Sequence, residues 1–505
     1  MTRAQKMHAY IPITVLWLTV ISARTLDDYE RNKTSLLEQE AIVSVGAGLR
    51  LSEDELQVNN ILMTLKDEEN KNSIANPENY NFTKHYFTYR DQIEKSRVYQ
   101  IIKRMPKGAA LHVHSTFVLD EEYMLSLTYE DHLYGCYVGT DLKLRFSDGV
   151  PQRPCPTNWT LLSELRNATD VEQFDSELKK RFTLYCRDQK DIDTDINAVW
   201  NHFDSIHSIT KPLITYRPVR EKYIYESLKR FYDDNVMYIE MRSGFHRLYE
   251  LDGSEYDPTF LVRLHMDVTK RFIEDHPDFI GIKFILTKHR SANIKDIQEA
   301  VSVARKIKTE YPHMFAGFDL VGQEDVGRPL SEFLPALLDA NDMDFFFHAG
   351  ETNWLGMQSD ENLIDAILLG TKRIGHGYAL AKHPVLMSLV KKKDIAVEVN
   401  VISNAVLALS RDVRNHPLAI FLSFGLPVVL SSDDPGVWGA APLSHDFYVA
   451  FMAVANQHSD LRLLKQLAIN SIRYSALENR RKTRLFKVFN KRWSEFLKEV
   501  LAMSL

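Results

Sequence analysis

The sequence predicts an α/β fold, a (β/α)8 TIM barrel, and three observations carry that expectation. Eight short β-rich apolar runs recur from Gly108 onward: "GAALHVH" (108–114), "VMYIEMR" (236–242), "FIGIKFIL" (279–286), "FAGFDLVG" (315–322), "DFFFHAG" (344–350), "RIGHG" (373–377), "IAVEVNVIS" (395–403) and "PVVLSSDD" (427–434). The runs are near-continuously hydrophobic rather than alternating, the pattern of strands buried on both faces of a parallel sheet. Helix-patterned segments such as 293–311 and 360–370 lie between most of them, and such alternation argues for a barrel.

Before the barrel, residues 24–105 carry helical signals, among them a capping box at Ser52 and Glu55 ahead of Leu56, Ile61, Leu62 and Leu65. A barrel does not need this region, so it is expected to serve association or to cap the core. The barrel proper spans 106–505. Its later strands follow at about 25 to 45 residues, but the first two are separated by about 120. An insertion is therefore expected at about 120–190.

The extreme N-terminus reads as a signal peptide over 1–23. Arg3 and Lys6 precede the apolar run Ile11–Ile21, which ends in Ser22 and Ala23. At about 11 residues the run is too short to span a bilayer. Secretion predicts glycosylation, and N-x-T triplets stand at Asn32, Asn81, Asn158 and Asn167. It also predicts a disulfide: of three cysteines, Cys136 and Cys155 bracket a short Gly/Pro-containing stretch of the insertion and pair, leaving Cys186 as a buried free thiol. A hydrophobic share of 45%, a charged share of 26% and a net charge of −6 over 505 residues describe an ordinary globular protein. No polybasic bias points to nucleic acid or membrane.

In a barrel of this kind the chemistry sits at the C-terminal ends of the strands. The first run ends in His112-Val113-His114, the fifth in His348 with Glu351 just beyond, the sixth in His376 and the eighth in Asp433-Asp434. An H-x-H pair on a strand places both imidazoles on one face, so both reach one ion. With His348 and Asp433 the set favours zinc or a similar divalent ion. The fourth run has no lysine to bridge a second metal, so one ion is expected. There is no C-x-x-C, which excludes the base deaminases built on that signature. Metal-activated water, His376 to take or orient its proton, Glu351 as an acid of raised pKa and Asp434 as a hydrogen-bonding partner suit hydrolysis at an electrophilic carbon beside a basic nitrogen.

The motifs "KGAALHVHS", "FAGFDLVG", "FFFHAGE", "RIGHGYAL", "EVNVISN" and "SSDDP" resemble, in order and spacing, those of the adenosine/AMP deaminase family. "MPKGAALH", "RNHP" and "LRLLKQLAINSI" are similar to its secreted subgroup, the adenosine deaminase-related growth factors. The resemblance implies a metal-dependent hydrolase barrel holding one zinc per subunit on His112, His114, His348 and Asp433. It implies that Glu351 protonates purine N1 and that His376 activates the attacking water. Asp434 and the amide of Gly322 would hold the purine, with Trp200 and His289 lining the nucleoside pocket. The substrates implied are adenosine and 2'-deoxyadenosine, in a secreted homodimer with room for a growth-factor role and for a cell-surface receptor or glycosaminoglycan partner.

One position departs from the family pattern. Where an aspartate usually meets the ribose 5'-hydroxyl, this chain has Ser115 and Thr116, which bond without charge assistance. Three alternatives follow: a deaminase of another aminopurine, a different mononuclear amidohydrolase, and a catalytically silent signalling protein. An AMP deaminase would need a phosphate-binding cluster near the ribose, and no motif supplies one.

Overall fold

The computed structural model describes residues 25–76, 81–186, 192 and 195–503. The segment expected to be a signal peptide lies outside them, apart from which the chain forms an α/β barrel with two additions.

The barrel strands are β1 (Gly108–His114), β5 (Val236–Ser243), β6 (Gly281–His289), β7 (Phe315–Val321), β8 (His348–Ala349), β9 (Arg373–His376), β10 (Ala396–Val399) and β11 (Val428–Leu430). Three further strands, β2 (Leu133–Val138), β3 (Asp141–Phe146) and β4 (Thr160–Leu161), belong to the insertion. All barrel pairings are parallel, in two four-stranded sheets ordered β1-β5-β6-β7 and β11-β10-β9-β8. Single bridges join the two sheets at two seams, Val113 to Asp433 and Phe318 to Phe345. Every residue of β5 is buried, as the uninterrupted apolar pattern requires.

The run "DFFFHAG" yields a shorter strand than expected, only His348–Ala349. Its earlier residues are extended but pair irregularly: the Phe346 amide donates to the Phe318 carbonyl, while the Lys372 amide donates to the Phe345 carbonyl. Gly317 permits the close approach at this seam, because a Cβ there would meet the Asp344 carbonyl at 2.2 Å.

The first helix, Leu26–Val43, buries none of its residues. The second, Glu53–Ala75, starts with the expected capping box on Ser52 and Glu55. It buries Val58, Leu62 and Leu65, whereas Leu56 is exposed. The stripe at spacing four and three selects Val58 over Leu56, and buried Glu55 accepts from Trp493 Nε1 on the C-terminal helix Asn479–Ala502. The insertion forms a small antiparallel sheet ordered β3-β2-β4. A disulfide joins Cys136 on β2 to Cys155. Cys186 is half-buried rather than buried, at the edge of described chain.

Candidate active site

A chain of buried charges fills the barrel beneath the strand ends. Arg373 bridges Glu240 (2.6 Å) and Glu398 (2.5 Å), and Arg242 bridges Glu398 (2.7 Å) and Asp319 (2.8 Å). All five side chains are essentially inaccessible. Each charge has an opposite partner, and the end carboxylate Glu240 also accepts from the Ala476 amide, the condition under which burial is tolerable. The carboxylates at the upper end hold the imidazoles above them: His112 Nδ1 donates to Glu398 at 2.7 Å and His348 Nδ1 to Asp319 at 2.6 Å. Arginine charge holds Glu398 well below the usual carboxylate range despite its burial. The same is true of Asp319, with His348 and Arg242 beside it.

With both Nδ1 atoms donating, the Nε2 lone pairs of His112 and His348 point at each other across 3.1 Å. Two lone pairs cannot hydrogen-bond, and a cation between them resolves the conflict. Asp433 Oδ1 lies 3.3 Å from His112 Nε2 and 3.1 Å from His114 Nε2. Donor atoms of His112, His114, His348 and Asp433 all fall within 4.8 Å of one another. Burial alone would raise Asp433, but the imidazoles of His112, His114 and His376 around it hold its pKa well below the ordinary carboxylate range. Burial pushes His348 down to about 3, so it stays neutral and able to ligate. Three imidazoles and one carboxylate fit a divalent metal.

Beside this quartet stand Glu351 and His376, whose Oε1 and Nδ1 are 3.3 Å apart. Glu351 follows β8 by two residues, and Glu324 fixes its backbone by accepting from the amides of Gly350 and Glu351. Burial, then the charges of Asp433 and Glu324, raise Glu351 well above the ordinary carboxylate range. Its Oε1 has no hydrogen-bond partner among the described residues, nor has Asp434 Oδ1. Asp434 is raised too, by burial and by the neighbouring charge of Asp433.

His376 is neutral, its pKa pushed far down by burial. A relay sets its tautomer: the Leu418 amide donates to His416 Nδ1, His416 Nε2 to Asn404 Oδ1, and Asn404 Nδ2 to His376 Nδ1 at 3.0 Å. The proton of His376 therefore sits on Nε2, the nitrogen facing Asp433 Oδ2 at 3.8 Å. Both His376 (φ 59°) and Asp433 (φ 59°) adopt left-handed backbone, strain that clusters where side chains must be aimed.

These groups open onto a cavity of about 680 Å³, a volume suited to a small-molecule ligand. His114, Trp200, His289, Gly322, His348, Glu351, His376, Asp433 and Asp434 all line it. Trp200 meets Phe203 edge-to-face at 5.6 Å. Gly322 has φ +101°, and a Cβ there would fall 2.3 Å from His289 Nε2. Ser115, expected near the ribose, does not line the cavity; its hydroxyl donates to Ser243 and accepts from Arg220. Thr116 lines the cavity in its place, since Ser115 has the opposite parity to His112 and His114.

Reasoning from sequence missed Glu398, Asp319, Glu240, Arg242, Arg373, Glu324, Asn404 and His416. A signal existed for some: Glu240, Arg242 and Glu398 are charges inside apolar runs, where only a paired interior accepts them.

Comparison with known proteins gives the same reading. Residues 187–491 match the family model "Adenosine deaminase" and residues 10–102 the model "Adenosine/AMP deaminase N-terminal". An adenosine deaminase from Phlebotomus duboscqi is 42% identical over 502 residues, covering 98% of this chain and 96% of that one. Adenosine deaminase 2 from Homo sapiens is 40% identical over 488 residues, covering 95% and 94%. Among solved structures, an amidohydrolase from Burkhoderia ambifaria with bound zinc superposes with a TM-score of 0.55 at 18% identity, covering 80% of this chain and 95% of that one. The chain belongs to the adenosine deaminase family.

Proposed function

We propose that this protein is an extracellular, zinc-dependent deaminase converting adenosine and 2'-deoxyadenosine to inosine and 2'-deoxyinosine with release of ammonia. The observation that carries the reading is a buried Glu351, its carboxyl pushed well above the ordinary range by burial and neighbouring charge, beside four residues placed to hold one metal ion. One zinc per subunit would be held by His112, His114, His348 and Asp433, and when bound it supplies the Lewis acidity that makes water nucleophilic near neutral pH.

The chain's own residues do the rest. Glu351 donates its proton to the purine N1, which makes the adjacent carbon electrophilic. His376, with its proton on Nε2, orients the attacking water, the second of the two roles open to it. Asp434, protonated beside ionised Asp433, offers a hydrogen to a ring nitrogen, and Gly322 admits the purine against the backbone. Trp200 and His289 cover the nucleoside and exclude water.

An extracellular setting is supported by the disulfide and by the exposed sequons Asn158 and Asn167. A homodimer is supported by the helix Leu26–Val43, which exposes Leu26, Leu37 and Ile42 by more than half. The activity is tested by incubating the purified protein with adenosine and following ultraviolet absorbance, before and after chelation. Loss of the adenosine absorbance that a chelator stops and zinc restores is expected; an unchanged spectrum with zinc bound defeats the reading.

A further inference from the structure

The short helix Val401–Val406, which follows β10, carries two of the contacts that aim the site. Ser403 Oγ donates to Asp433 Oδ2 at 2.8 Å, and Asn404 Nδ2 donates to His376 Nδ1 at 3.0 Å. One helix thus steadies both a carboxylate of the metal quartet and the histidine beside it. At six residues it is too short to stand by its own hydrogen bonds. Its first amides also lack a local partner, because Asn400 at the cap position makes no side-chain bond to them.

The missing cap comes from another element. Asp446, on the buried helix Ser444–Val449, reaches back across 44 residues of sequence to accept from the Ile402 amide at 3.1 Å. Its carboxyl faces the Val401 amide as well, so it meets the first turn as an N-cap side chain would. The second oxygen, Oδ2, has no hydrogen-bond partner among the described residues. A fully buried acid is therefore spent on one short helix, where it does not line the cavity and cannot touch a substrate. Asp446 is itself held in place. The Leu443 and Ser444 amides at the start of its helix both donate to Asp234 at 2.8 Å. Its neighbours His445 and Tyr448 bond Tyr86 and Glu69 of the N-terminal region at 2.8 and 3.4 Å.

We propose that Asp446 is a positioning residue of the active site: by capping the helix Val401–Val406 it aims Ser403 at Asp433 and Asn404 at His376. The route to Asp433 concerns metal binding alone, whereas the route to His376 rests on the deaminase reading. Burial, and then the Asp433 charge, outweigh the two amides and push the Asp446 carboxyl well above the ordinary range. Asparagine matches a protonated carboxyl in shape and charge and keeps the oxygen that Ile402 needs, so it is the conservative replacement here.

The test is chelator competition for zinc on the full chain, comparing the parent with Asp446→Ala, Asp446→Asn, Ser403→Ala and the Asp446→Ala/Ser403→Ala pair. Asp446→Ala is expected to weaken zinc binding roughly tenfold, and Asp446→Asn to stay within about threefold of the parent. Once Ser403 is gone, Asp446→Ala is expected to cost less than about threefold more, because its route to Asp433 has been removed. Unchanged affinity in Asp446→Ala, a loss as large in Asp446→Asn, or a loss that adds in full to that of Ser403→Ala overturns the proposal. Should Asp446→Ala fail to fold, Asp446→Ser, whose oxygen stands one bond short of the carboxylate's, is read by the same limits. With zinc saturating, Asp446→Ala is also expected to lower kcat for adenosine roughly tenfold and leave KM within about threefold; a raised KM at parental kcat overturns the route through His376. Absence of adenosine turnover by the parent defeats the deaminase reading separately, because zinc affinity needs no turnover.

Discussion

Glu351 keeps a proton because three things act together: burial, the Asp433 charge and the Glu324 charge. The sign of the resulting pH dependence follows directly. A raised carboxyl keeps its proton to higher pH than an ordinary one, so activity declines as pH rises through the raised value. His376 is pushed far below 6.5 and stays neutral, so kcat/KM for adenosine measured from about pH 5 to about pH 9 should show no limb near the ordinary histidine value; an acid limb centred there contradicts the assignment. The carboxylates under the ligands act through the imidazoles. Asp319→Asn, or Glu398→Gln, should weaken metal binding by roughly 10- to 100-fold in chelator competition, and unchanged affinity would show that they only fill space. At this scale the sequence was legible where chemistry shows as residue type, as with His112, His114, His348 and Asp433. The relay through Asn404 and His416 was not, although both residues lie in quoted motifs, because a hydrogen-bond role depends on which amide faces which ring.

At the scale of elements, the apolar runs located every barrel strand, since a strand buried on both faces leaves a continuous hydrophobic trace. Strand length was less legible: "DFFFHAG" reads as seven residues of strand, yet the seam at Gly317 breaks the ladder to His348–Ala349. The turn after β7 carries a prediction of its own. Gly322 needs positive φ, and its missing Cβ makes room for the His289 ring. Gly322→Ala should cost about 1 kcal/mol of stability from backbone strain and should raise the KM for adenosine by displacing His289, both measurable by thermal melting and initial rates. An unchanged KM would remove His289 from the substrate wall. The insertion was placed by an anomalous spacing, and its sheet and disulfide follow.

On the scale of the whole molecule, the barrel accounts for the chemistry and the N-terminal helices for what the barrel does not need. The helix Glu53–Ala75 is tied into the body through Glu55 and Trp493. The helix Leu26–Val43 touches the body at the helix Leu418–Phe424 but buries none of its residues, and its exposed apolar residues suit burial against a second copy. Sedimentation equilibrium should give twice the chain mass, falling to one chain mass in Leu37→Asp/Ile42→Asp; a monomeric parent protein would contradict the association. Among the described residues no helix is long and apolar enough to cross a membrane. The account stands most directly on one group, the proton of Glu351. With metal content matched between proteins, Glu351→Gln should lower kcat for adenosine by roughly 10²- to 10⁴-fold in the ultraviolet assay, whereas a variant that retains activity within a few-fold of the parent would contradict the acid role at the centre of the mechanism.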